Sequence, residues 1–143
     1  MLSTKLIYQC DFLKFEKIEN TSLGLISAKK DYIPIENFKI GFSEISKHLK
    51  DQGLNSIIFD KRNLTVFHQP SMEWYYTSWK MDLIEVNVRR HYKILPALPW
   101  FEKSVEAGKN EIKANHPDFD FSQFTVTYVT NPEEAVKIEA STD

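Results

Sequence analysis

The chain has 143 residues, of which 42% are apolar, 13% aromatic and 27% charged, the balance of a single folded domain over residues 1–143 rather than of a disordered tail or a coiled coil. Its formal net charge of −2 supplies no global basic field to draw it to nucleic acid or anionic lipid. Cys10 is the single cysteine, which excludes an internal disulfide and a thiolate metal cluster; no apolar run is long enough to span a membrane, and the opening Met1-Leu2-Ser3-Thr4-Lys5 lacks the apolar stretch of a secretory signal, so a cytoplasmic protein is expected.

Residues 6–16 carry Ile7, Phe12 and Phe15 among Tyr8, Lys14 and Glu16, a mixed pattern that predicts one bent strand or two short ones. The turn formers Glu19-Asn20-Thr21-Ser22 follow, and Leu23-Gly24-Leu25-Ile26-Ser27-Ala28 reads as the next strand of an antiparallel hairpin. The period then changes. Ile35, Phe38, Phe42, Ile45 and Leu49 share one helical face, with Pro34 at the start and Gly53 just past the end. Lys47, His48 and Lys50 sit where the helix dipole favours cations.

Ile57-Ile58-Phe59 is a short continuous apolar run, the mark of a strand buried on both faces. From Ser71, a candidate N-cap, the stripe Met72, Tyr75, Tyr76, Trp79, Leu83 and Val86 predicts a second helix with Glu73, Lys80 and Asp82 off it. Tyr92-Lys93-Ile94-Leu95 reads as a strand stopped by Pro96 and Pro99, and residues 100–115 as a third helix with Phe101, Val105, Gly108 and Ile112 on one face. Phe124-Thr125-Val126-Thr127-Tyr128-Val129 alternates as a strand does, and Asn131-Pro132-Glu133-Glu134 is a strong start for a short last helix. The predicted order is β-β-α-β-α-β-α-β-α: an α/β fold with a mixed sheet of about five strands and about four helices.

Candidate functional residues cluster after the central strand. Asp60, Lys61 and Arg62 stand at its carboxyl end, where open α/β sheets bind ligands, and the Arg62 guanidinium suits a phosphate or carboxylate. Asp60 and Arg62 also suit a mutual surface pair. His68 and Glu73 are an acid–base pair if folding joins them, although a histidine so placed more often bonds loop backbone. Phe67, Trp74 and Trp100 are apolar groups near strand exits, suited to core packing, to a pocket or to a subunit contact. Arg89-Arg90-His91 reads as the cationic end of the second helix. No metal-ligand spacing, phosphate loop or nucleophile motif is present, so neither metal nor cofactor is expected.

The element order, the Ile57-Ile58-Phe59-Asp60-Lys61-Arg62 strand end, the long loop into Glu73-Trp74, the strand at residues 92–95, the Phe101 helix and the closing Asn131-Pro132-Glu133-Glu134-Ala135 together resemble the STAS domains. The nearer resemblance, over residues 6–140, is to the SpoIIAA-like group of bacterial single-domain proteins. This resemblance implies a regulatory or protein-interaction module without enzymatic activity, binding a protein partner or itself as a homodimer. In anti-sigma-factor antagonists of this fold a serine opening the helix after the Asp-ended strand is phosphorylated; their Asp-Ser-Ser/Thr-Gly motif is missing here, and Ser71 is its nearest positional counterpart. A related branch carries lipids or small apolar ligands. The alternative reading is therefore a carrier or sensor of a small apolar or anionic ligand, with Phe67, Trp74 and Trp100 as walls and Arg62 at the polar end. An enzyme using Arg62, His68 and Glu73 comes third.

Overall fold

The computed structural model describes residues 2–49 and 51–141; Lys50, expected near the end of the first helix, lies outside them. Among the described residues six strands form one sheet in chain order: β1 (Thr4–Gln9), β2 (Leu13–Ile18), β3 (Leu23–Ala28), β4 (Ser56–Asp60), β5 (Arg90–Ile94) and β6 (Thr125–Tyr128). The first three strands pair antiparallel, and β3 to β6 pair parallel. The segment at residues 6–16 thus resolves into two strands, raising the expected five to six. Cys10 N–H bonds the Leu13 carbonyl at 2.9 Å, so the chain turns back there rather than bending through.

Parallel neighbours need crossovers. They are α1 (Ile35–Leu49), a helical run of three pieces, α2 (Gln69–Trp74), a π-helical turn (Tyr75–Trp79) and α3 (Lys80–Glu85), and then α4 (Pro99–Asn115). Right-handed crossovers on a sheet that grows in one direction lie on the same face, and the core divides accordingly. Phe15, Ile26, Ile57 and Phe59 pack with Phe42, Tyr75, Trp79 and Phe101 of the crossovers. The alternate residues Ile18, Leu25, Ile58, Tyr92 and Ile94 pack with Ala135 and Val136 of α5 (Pro132–Ala140) on the opposite face. Ile57, Ile58 and Phe59 are buried on both faces, as their continuous apolarity predicts.

Local signals explain most boundaries. Gly53 has φ +64°, the left-handed conformation that stops a helix. Asn131 Oδ1 accepts from the Glu134 N–H at 2.9 Å and caps α5. At α2 the cap is His68 rather than the expected Ser71: His68 Nδ1 accepts from the Ser71 N–H at 3.3 Å, with Pro70 in the first turn. Arg90 and His91 belong to β5 rather than to a helix end, because Asn87, at φ +64°, ends the helix earlier. Among the described residues no helix is long and apolar enough to cross a membrane.

Candidate functional site

The site grows from the pleat of β5. Tyr92 and Ile94 face α5, so His91 and Lys93 must face the crossover helices. Lys93 stands beside Phe59 of β4 in register and is 1% exposed. Its Nζ donates to Tyr76 Oη at 2.7 Å and lies 4.9 Å and 4.4 Å from the ring centres of Tyr75 and Tyr76.

Those rings arrive from the π-helical turn. The Lys80 N–H bonds the Tyr75 carbonyl, one residue further back than in an α-helix, and the wider turn carries Tyr75, Tyr76, Trp79 and Lys80 all inward. Trp79 Nε1 donates to the Phe42 carbonyl at 2.8 Å and anchors the turn to α1. Lys80, expected off the apolar stripe, is fully buried. Its Nζ sits 4.2 Å from the Tyr76 ring centre and 4.9 Å from that of Phe124, with no hydrogen-bond partner among the described residues.

Beside Lys93 and the tyrosines is a cavity of about 60 Å³, which opens at the carboxyl end of β4, the end at which parallel sheets hold ligands. It has room for several waters or the head of a small ligand. Its walls are mostly apolar: Ile33, Phe38, Phe59, Leu64, Phe67, Met72 and Phe101. Polar groups come from Lys61, Lys93, His68, Ser71 and the tyrosines Tyr32, Tyr75 and Tyr76, and the buried Tyr75 hydroxyl has no hydrogen-bond partner among the described residues.

The electrostatics are one-sided. Lys61, Lys80 and Lys93 take part in no ion pair among the described residues. Burial lowers the pKa of Lys93 to about 7, helped by the charge of Lys109. Burial also pushes Lys80 and Lys61 well below the ordinary lysine range, and in both the Lys93 charge adds to the effect. Burial raises Tyr76 to about 12, so its hydroxyl stays protonated at neutral pH.

The expected site residues divide into two sets. Phe67, His68 and Ser71 line the cavity; Phe67 meets Phe101 edge-on at 5.9 Å, and the buried Ser71 hydroxyl lies 2.8 Å from His68 Nδ1. Arg62 instead forks onto Asp60, with Nε to Oδ1 at 3.0 Å and Nη2 to Oδ2 at 2.7 Å. Trp74 is half-buried, edge-on to Phe38 at 6.0 Å, and Trp100 is 46% exposed against Phe101; neither lines the cavity. His68 and Glu73 are not joined. Glu73 Oε1 pairs with His116 Nε2 at 3.0 Å on the far side of the helix, where Asn115 also donates to it. The sequence reading does not single out Lys93 and Tyr76, which line the cavity, or Lys80 behind them. The available signal was the lysine at the centre of a strand whose neighbours are Tyr92 and Ile94.

Comparison with protein-family models, with curated proteins and with solved structures finds no match.

Proposed function

We propose that this chain is a non-enzymatic carrier or sensor of a small anionic ligand with an apolar body, bound in the cavity beside Lys93. The observation that carries this reading is the pair Lys61 and Lys93 on the cavity lining, which has no carboxylate partner among the described residues. Burying an amine costs free energy unless it is paired, and an oxyanion at Lys61 and Lys93 supplies the missing partner. Phe67, Met72 and Phe101 then receive the apolar body. This role replaces Arg62, already held by Asp60, with Lys93 and Lys61 as the polar end. The STAS-like, SpoIIAA-like identity remains part of the proposal, supported by the mixed sheet and its crossover helices.

The test is hexanoate titration followed by tryptophan emission and by native mass spectrometry, with hexyl phosphate and 1-hexanol alongside. Binding of one anion per chain, at least about tenfold tighter than the alcohol and weakened about tenfold by Lys93→Met, supports the reading. Equal affinity for the alcohol and no effect of Lys93→Met would remove it.

A second reading, a protein-interaction module or homodimer, is favoured by Tyr32, Val66 and Trp100, which are 40%, 44% and 46% exposed. Tyr32 and Val66 belong to the cavity walls and Trp100 rests on Phe101, another wall residue. Apolar groups grouped in this way suit an interface. Sedimentation velocity over a concentration series, repeated on Trp100→Ser, decides it: a dimer that the substitution dissociates supports this reading, and a monomer throughout removes self-association.

A further inference from the structure

Lys93 is more than a charge. A lysine in the middle of an inner strand, 1% exposed and without a carboxylate partner among the described residues, is a poor structural choice, since a methionine fills similar space without the desolvation cost. A neutral amine, in contrast, has a free electron pair, and amines desolvated in an apolar pocket beside other cations are the nucleophiles of imine chemistry. Lys93 meets each condition. It lines the cavity, it lies against the Tyr75 and Tyr76 rings, and the charge of Lys109 bears on it. Its Nζ also touches a hydroxyl that can pass protons, Tyr76 Oη at 2.7 Å. With its pKa lowered to about 7, about half of the amine is free at neutral pH, against less than about a thousandth for an ordinary exposed lysine.

We propose that Lys93 condenses reversibly with the carbonyl of a small 2-oxo acid bound in this cavity, forming an imine through Nζ while Tyr76 relays the protons. The inference rests on the anion-binding reading and deepens it by naming the ligand class. Lys61 holds the carboxylate, and the alkyl chain lies along Phe67 and Met72.

The step balances. The Nζ electron pair forms the new N–C bond as the C=O π pair moves to oxygen. That oxygen becomes an alkoxide, a stronger base than tyrosinate, and takes the Tyr76 proton. The surplus proton on nitrogen returns to the Tyr76 oxygen, leaving a carbinolamine. A second passage through the same hydroxyl carries the last nitrogen proton to the departing oxygen, which leaves as water. One amine and one carbonyl give one imine and one water with no change of oxidation state, and hydrolysis reverses the sequence.

The experiment is reductive trapping of the full chain with 2-oxohexanoate and sodium cyanoborohydride at pH 7, followed by peptide mapping. The expected result is one alkyl adduct on Lys93, formed at least about tenfold faster than on exposed Lys30 and Lys103, slowed by Tyr76→Phe and by competing hexanoate. Adducts spread over the exposed lysines without an excess at Lys93, or seated on Lys61 instead, overturn the inference; the mapping is read on the wild-type chain and needs no variant to fold. Hexanoate binding without a Lys93 adduct removes the imine and leaves the carrier reading standing. An adduct on Lys93 without hexanoate binding overturns the 2-oxo acid assignment along with the anion-binding reading, and absence of both removes both.

Discussion

Lys93 Nζ and Tyr76 Oη meet at 2.7 Å with both side chains buried, one rising from the sheet and the other descending from a π-helical turn. The contact joins the two layers of the fold at the floor of its cavity. It satisfies the amine once and leaves its other hydrogens against aromatic rings. Folding therefore favours the neutral amine, and this has consequences for stability as well as for ligands.

The first concerns pH. The native pKa of Lys93 is about 7, while the unfolded chain holds its proton up to about 10.4. Between these values the unfolded state binds more protons, so stability rises with pH, by up to about 1.4 kcal/mol per unit for this group. Lys61 and Lys80 are shifted in the same direction. Above pH 10 the trend reverses, because native Tyr76 keeps its proton up to about 12 while the unfolded tyrosine loses it. Denaturant midpoints from pH 7 to 9.5 should climb in the wild type and climb less in Lys93→Met. Parallel profiles for the two chains would show that Lys93 is charged in the native state.

His91 governs the acid side. Its ring is 1% exposed; Nε2 donates to the Val88 carbonyl at 3.2 Å, and Nδ1 has no partner among the described residues. Burial, and then the charge of Lys80, lowers its pKa to about 2. The native ring stays neutral while the unfolded one protonates below about pH 6.5, so stability is lost as pH falls through that point. From pH 6.5 to 5 the loss is about 2 kcal/mol. His91→Leu should remove that part of the acid dependence in urea melts; a variant with unchanged acid dependence assigns it to carboxylates instead.

Much of this architecture was legible because it rests on periodicity. The α1 face, the Ile57-Ile58-Phe59 strand, the α4 face and the Asn131 cap all follow from spacing and turn chemistry, and each lies where that spacing places it. The site was less legible for two physical reasons. A π-helical turn adds a residue to the turn, so Lys80 faces the core although the stripe read from the sequence leaves it off. A buried lysine in a strand reads as solvent-facing from its charge, and only the alternation with Tyr92 and Ile94 says otherwise. The Arg62 guanidinium suits an oxyanion by its chemistry, but the carboxylate two residues before it takes that capacity.

Gly108 controls the width of the cavity from behind. A Cβ there would stand 2.6 Å from Gln69 Oε1, 2.8 Å from Met72 Sδ and 3.0 Å from Phe67 Cζ. Met72 and Phe67 are cavity walls, so the side chains that must give way are ones that shape the cavity. Crowding costs about 1–3 kcal/mol, while alanine recovers about 1 kcal/mol of helix propensity, so Gly108→Ala should fold with a modest loss of stability. Hexanoate affinity should fall by at least about threefold, since the apolar body loses its space. Unchanged affinity in a folded variant places the ligand away from Phe67 and Met72.

Lys80 separates the two tasks a buried lysine can have. Like Lys93 it is fully buried, but its Nζ has no hydrogen-bond partner among the described residues and it does not line the cavity. An unsatisfied buried donor costs about 1–3 kcal/mol, and the adjacent Lys93 and Lys61 charges discourage its protonation further. Lys80→Met keeps the length of the side chain between the Tyr76 and Phe124 rings and removes the amine. The variant should gain about 1–3 kcal/mol at pH 7 in urea unfolding and bind hexanoate within about twofold of the wild type. A chain destabilised by this change means that the Lys80 ammonium is charged and held by the rings around it. In that case the cationic surface facing the ligand extends through Tyr76 to a third lysine.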